Sequence, residues 1–424
     1  MRKHVTRLCL VLLIAIPLVL SIVTMSGAAQ KVTLKMWNTA EALANPLTEK
    51  YIKDFEQKYP EVKVEFFTYP WQELRSKLLA AYAAGTAPDI LQLDTPWLPE
   101  FTEAGLLDPA PKAVVNDLNT KFFPVAKHLV SFNKVAYGYP WWVFTNALIY
   151  NKALFREAGL DPNKPPKTWA QLEETAKKLT KYDAAKKIVQ PGFLINPRLL
   201  HFTDYLYNNG GAIVGENTQG IPKKPIKSTF NTPATVKALE FLNRLYNVDR
   251  VGSTEFTANM YEAFQKGQVG MLIEAQWLIP WTKSAAPNLE FGIAPIPTPT
   301  GKNPQVRADA WIMVVNKRSE KKVKEYAWKF MQQYISTSQG EMLKCALSVP
   351  TRRDVSARKD LDWIEKFYVN YLQGVTRCKP FVKQAEEFDR RVEPILLRMY
   401  RGELSPKETA RLAEMEINAV LAGD

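Results

Sequence analysis

Apolar positions recur along this chain with two alternating periods. Val32 to Trp37 alternates apolar and polar residues as a half-buried strand does, and Leu47, Tyr51, Ile52, Phe55 and Tyr59 then share one side of a helix that Pro60 stops. Val62 to Phe67 predicts a second strand. Leu74, Leu78, Leu79 and Tyr82 line one side of a helix from Trp71 to Ala84 that closes at Gly85. Pro88 forbids its continuation, and Asp89 to Leu93 is a short apolar run bounded by turn residues, as expected of an inner strand. Strand and helix alternating in this way predict an α/β fold with a mainly parallel sheet flanked by helices.

The third strand ends abruptly in Asp94, Thr95, Pro96 and Trp97. In an α/β sheet the loop at a strand's carboxyl end faces the ligand crevice, so a carboxylate and an indole three residues apart can grip one ligand together. A hydroxylated, partly apolar molecule suits them: hydroxyls donate to the carboxylate while a C–H face lies on the indole. The competing reading makes Trp97 a core anchor beneath the loop; the flanking Pro96 and Pro99 and the strand-end position favour ligand contact. Trp37 and Asn38 end the first strand and Trp71 follows the second. The same topology puts all three in cleft-facing loops, with packing an equal alternative.

Tyr137 to Val143 and Ala147 to Tyr150 are two apolar runs separated by Phe144, Thr145 and Asn146, a pattern that predicts a chain crossing between two lobes. Trp141 and Trp142 point to opposite faces by alternation, so one packs and the other faces the cleft. Thr168 with Gln171 makes a capping box, which gives Trp169 a packing role. Val269 to Glu274 is a strand delivering Gln276 and Trp277, and Phe291 to Pro297 and Ala310 to Val315 are two more.

Composition adds an address. Arg2, Lys3 and Arg7 precede an apolar run from Leu8 to Val23 and the small residues Ser26 to Ala29, so residues 1–29 read as a cleaved signal peptide and the chain as exported to the periplasm. Cys9 lies near the start of the apolar run, where it cannot serve as a lipid-anchored cysteine. Cys345 and Cys378 remain, and an even pair in an exported chain is a disulfide candidate, with two buried thiols equally open. Losing the three basic residues takes the formal charge from +13 to +10. The lysines are scattered over polar helix faces, as at Lys177, Lys178, Lys181, Lys186 and Lys187, rather than gathered on an aromatic-laced stripe, so nucleic acid is not the expected partner. About 395 mature residues exceed one core, and two lobes are expected.

The order of small motifs is similar to that of extracellular solute-binding protein family 1, the sugar-binding proteins that feed ABC importers. The resemblance rests on Ala83-Ala84-Gly85 with Pro88-Asp89, on Tyr150-Asn151-Lys152, Gly159-Leu160, Pro165-Pro166 and Thr168-Trp169, on Gly210-Gly211, and on Trp277 after its strand; Tyr326 to Phe330 and Pro350-Thr351-Arg352 extend it to about residue 355. It implies a two-lobe periplasmic binding protein fold of type II with ligand held between the lobes. Lobe 1 would comprise residues 30–143 and 309–347, and lobe 2 residues 146–306 and 350–424, with hinges near 143–146, 306–309 and 347–350. It also assigns Trp142 and Trp277 to the cleft and brings Arg352 there, against the alternative of a surface turn. Phe144 stands where disaccharide-binding relatives often carry an acid, and Asp309 with Ala310 replaces the family's glycine pair before Trp311, adding a carboxylate.

Catalytic constellations are thin. His128 and His201 read as ordinary core or surface histidines, and no triad, metalloprotease or phosphate-loop motif occurs. The expected protein is therefore a non-enzymatic, cofactor-free monomer that captures a sugar or short oligosaccharide and delivers it to an ABC permease. Abundant tryptophan favours a neutral sugar. A secreted glycosidase is the rival from another class, since the separation of two carboxylates is spatial and sequence spacing leaves it open; a non-sugar solute on the same fold is the other.

Overall fold

The computed structural model describes residues 31–40, 44–215, 222, 226–374 and 376–423; the expected signal peptide lies outside them. Strands β1 (Val32–Thr39), β2 (Val62–Tyr69) and β3 (Ile90–Asp94) run parallel, separated by helices α1 (Asn45–Lys58) and α2 (Trp71–Ala84). These are the elements that the apolar periods predict. Gly85 closes α2 in the left-handed region at φ 71°, where a residue without Cβ is unstrained.

The long strand β4 (Gly138–Asn151) follows, then helices α3 (Trp169–Leu179) and α4 (Leu199–Asn208) with the two-residue strand β5 (Phe193–Leu194) between them. Next come β6 (Met271–Ala275), helix α5 (Leu278–Ala285), β7 (Phe291–Ala294) and β8 (Val306–Val315). Helix α6 (Lys321–Ala346), the short β9 (Thr376–Arg377) and helices α7 (Ala385–Tyr400) and α8 (Pro406–Ala422) follow, with further helices at Arg353–Ser356 and Trp363–Leu372 between α6 and β9. The capping box forms as expected, with Thr168 and Gln171 satisfying each other's backbone, and Trp169 packs, its ring 4.4 Å from that of Phe241 and 6° from parallel.

These nine strands join one sheet, ordered β2-β1-β3-β8-β4-β6-β5, with β7 also on β4 and β9 on β8; two short hairpins, at residues 131–136 and 181–190, stand apart from it. The two apolar runs expected on either side of residues 144–146 are one continuous strand, because β4 is paired along its length with changing neighbours, apart from a bulge at Trp141. Gly138 to Thr145 pairs antiparallel with β8, and Asn146 to Tyr150 pairs with β6. Gly138 is required there: a Cβ would come 2.0 Å from the Met313 carbonyl oxygen of β8. One apolar cluster packs α1, α2 and α6 against β1 to β3, and a second gathers α3, α4, α7 and α8 around Leu148, Met271 and Ile273. Among the described residues no helix is long and apolar enough to cross a membrane.

Candidate functional site

A cavity of about 240 Å³ opens where β4 changes partner. The ladder fixes one wall. Trp311 of β8 lies opposite Asp94 of β3 on one side and Trp142 of β4 on the other, and Asp309 lies opposite Phe144. Directly opposed residues project to the same face, so these five side chains form one surface, and all five line the cavity. The Trp311 ring meets those of Trp142 and Phe144 edge-on at 5.3 and 5.0 Å. The facing wall carries Trp277 at the start of α5, 5.0 Å from Tyr261 and 4.9 Å from the exposed Trp281, and Trp71 closes one end.

Polar groups converge below the rings. The Glu274 carboxylate is buried at the end of β6 and accepts from the Tyr261 hydroxyl at 3.0 Å, with His201 Nε2 at 3.1 Å from both oxygens. Burial pushes this carboxyl up, but the charge and hydrogen bond of His201, the Ala275 amide and Tyr261 outweigh it and hold it down at about 2. Arg307 forms a buried ion pair with Asp309, and its Nε lies 3.7 Å from Asp204 on α4. Asn146 donates to Asp204 at 2.6 Å while its own Oδ1 is buried without a partner. Lys379 is buried and pairs with Asp389 at 2.6 Å. The Asp94 carboxyl has no hydrogen-bond partner among the described residues, and burial, then the Asp309 and Glu386 carboxylates, push it up to about 8.

The structure thus brings Trp71, Asp94, Trp142, Phe144, Trp277, Asp309 and Trp311 to one cavity. Four expected residues lie elsewhere. Trp97 is in the core, 3% exposed, because a single 3-10 turn (Thr95–Trp97) swings its ring behind Trp71, 6.1 Å away and nearly parallel. Asn38 is fully buried within β1, and the Trp37 ring packs on Tyr69 at 4.9 Å. Arg352 turns to the bidentate carboxylate of Asp354 and lies over the Phe122 ring. Nor do the cysteines form a disulfide. Cys345 is half-buried near the end of α6, its Sγ turned to the Met342 carbonyl, while Cys378 is buried beyond β9, and burial raises the Cys345 thiol.

The residues that sequence reasoning missed are mainly charged: Glu274, Arg307, Lys379 and Asp389, with Asn146, Tyr261 and His201, the last of which is a buried partner of Glu274 rather than an ordinary histidine. One signal was available. Glu274 ends an apolar strand run, and a carboxylate there needs a buried partner. Among the described residues no group of His, Cys, Asp and Glu side chains is placed to hold a metal ion.

The chain was compared with known proteins. Residues 40–341 match the family of bacterial extracellular solute-binding proteins. The chain belongs to this family. A binding protein of Brucella abortus is 28% identical over 319 residues, 74% of each chain, and the maltotriose-binding protein of Pyrococcus abyssi is 24% identical over 73% of this chain and 63% of its own. An ABC transporter solute-binding protein from Thermotoga lettingae, solved with α-D-tagatose bound, superposes with a TM-score of 0.78 at 27% identity, covering 92% of this chain and all of that one. This solute-binding protein accordingly has the α/β periplasmic binding protein fold, and its partners are a ligand and an ABC permease. The family is extracellular or periplasmic and non-enzymatic, which sets aside the glycosidase reading.

Proposed function

We propose that this solute-binding protein captures a sugar or short oligosaccharide in the cavity between β8 and α5 and presents it to the permease. The observation that carries the reading is the composition of the walls: indoles of Trp142 and Trp311 face those of Trp277 and Trp281 across a space floored by carboxylates and an amide oxygen. Flat rings offer surface to C–H faces, and acceptors aimed inward need the hydroxyl donors of the ligand. At about 240 Å³ the cavity lies below the roughly 300–1,000 Å³ of drug-sized pockets, which suits a ligand of one or two rings. The tagatose carried by the Thermotoga relative and the maltotriose of the Pyrococcus relative agree with this class.

Residues 30–143 and 309–347 form one lobe in this reading and 146–306 and 350–424 the other; the second apolar cluster lies wholly within the latter, while the first continues from one lobe into the other. Crossings near 143–146, 306–309 and 347–350 would flex as the lobes close on the sugar. The basic, apolar leader at residues 1–29 supplies export, and cleavage without a lipid anchor leaves the protein mobile in the periplasm. Calorimetric titration against a panel of mono- and oligosaccharides tests the reading, with each sugar recovered and analysed afterwards. Saturable binding with the sugar unchanged is expected; no binding across the panel, or turnover of any member, overturns it.

A further inference from the structure

The cavity departs from the rest of the molecule in the sign of its charge. The chain is strongly basic, at +13. Yet the cations that line the cavity already have carboxylate neighbours: Arg307 pairs with Asp309 and lies 3.7 Å from Asp204 without a hydrogen bond from its Nε, Lys379 pairs with Asp389, and Arg198 reaches across the Trp71 ring toward Glu393. Asp94 and Glu386 are left without an ion pair among the described residues. A second observation is independent of that balance. Asp309 is 5% exposed, and its Oδ1 is buried with no hydrogen-bond partner although its other oxygen holds Arg307. A buried, unpartnered carboxylate oxygen is costly unless something brought into the cavity satisfies it.

Register places these groups together. Asp94 lies opposite Trp311, so Asp309, two residues along β8, is its diagonal neighbour on the same face, with backbones about 7–8 Å apart. Carboxylates at that spacing can share one small cation, and Trp142 and Trp311 line the same wall, where indole rings attract positive charge.

Resting on the sugar-capture reading, we infer that the ligand carries a positive amino group, as an aminated sugar does, held between the Asp94 and Asp309 carboxylates against the indoles of Trp142 and Trp311. Hydroxyls of the same ligand meet the Asn146 oxygen and the Trp277 wall. Phosphorylated polyols and uronic acids are disfavoured, since their charge would meet the Asp309 carboxylate and hold Asp94 protonated, while the cavity's cations are paired.

A proton moves when such a ligand binds. The groups that face Asp94 are Asp309 on β8, Glu386 on α7, Lys379 ahead of α7 and Arg198 ahead of α4; burial and the two acids win, and the carboxyl sits at about 8. At pH 7 it therefore keeps its proton until an ammonium arrives, which favours the charged form and expels it. Amine affinity then rises with pH toward about 8, as long as the ligand's own ammonium persists.

The test is isothermal calorimetry of the full protein at pH 7 with hexoses, the matching hexosamines, N-acetylhexosamines and uronic acids of the gluco, galacto and manno series, in two buffers of different ionisation enthalpy. The expected result is a hexosamine bound about tenfold or more tighter than its hexose and N-acetyl counterparts, with net proton release. Asp94→Asn should remove both the preference and the proton release, and the wild-type comparison stands without that variant. Equal or tighter binding of the neutral sugars overturns the amine while leaving sugar capture intact. A uronic acid bound tightest does the same, and silence from every compound overturns both.

Discussion

His201 Nε2 lies 3.1 Å from both carboxylate oxygens of Glu274, and this buried pair ties α4 to the end of β6 directly beneath the cavity. Removing His201 leaves the Glu274 carboxylate as an uncompensated charge away from water. His201→Ala should therefore cost about 3–5 kcal/mol of stability, read as a lowered urea midpoint, and Glu274→Gln, which leaves no carboxylate behind, less. The pair also sets an acid limit. The Glu274 carboxyl is held at about 2 in the fold against roughly 4.3 unfolded, so its stabilisation is present above the unfolded value and is lost as pH falls from about 4 to about 2. Urea midpoints across that range should decline less steeply in Glu274→Gln than in the parent; parallel declines would contradict the assignment.

Trp97 and Trp277 separate packing from binding. Trp97→Ala removes a 3%-exposed ring from the core and should cost about 3–5 kcal/mol of stability, while Trp97→Phe should leave ligand affinity within about twofold. Trp277→Ala removes a ring from the cavity wall and should weaken ligand binding by about 0.5–1.5 kcal/mol or more with little change in melting temperature. Titrations and melts of the two variants check the split, and the reverse pattern would put the ligand nearer Trp97.

The thiols give a covalent check. Denatured without reductant, Cys345 and Cys378 should both take up an alkylating agent, seen as mass added to each peptide; a linked 345/378 peptide pair would contradict their unbridged state.

Lobe closure has its own observable. Small-angle scattering should show a smaller radius of gyration at saturating ligand than without it, and an unchanged radius would rule out flexing at the three crossings.

Much of the fold was legible because β1 to β3 and the helices between them each bury one face, which writes a period into the sequence. β4 was read as two runs because its pairing partner changes at residues 145 and 146, and a change of partner leaves no mark in the residues themselves. Asp94 was legible from its strand end, whereas alternation left Trp141 and Trp142 open and it was the family resemblance that pointed to Trp142 and Trp311. Trp97 was misplaced because one turn of 3-10 helix reverses the direction that a strand end implies. The charged floor was hidden for another reason. His201 and Glu274 are 73 positions apart, and Lys379 reaches the cavity from a C-terminal segment, so only the folded chain brings them together.

The most direct test of the central claim is a crystal structure of the protein with the tightest sugar from the calorimetric panel. That sugar is expected inside the cavity, with a ring face on Trp277 or Trp311 and a polar substituent at Asp94; density for it on the outer surface, with the cavity walls untouched, would contradict capture in the cavity.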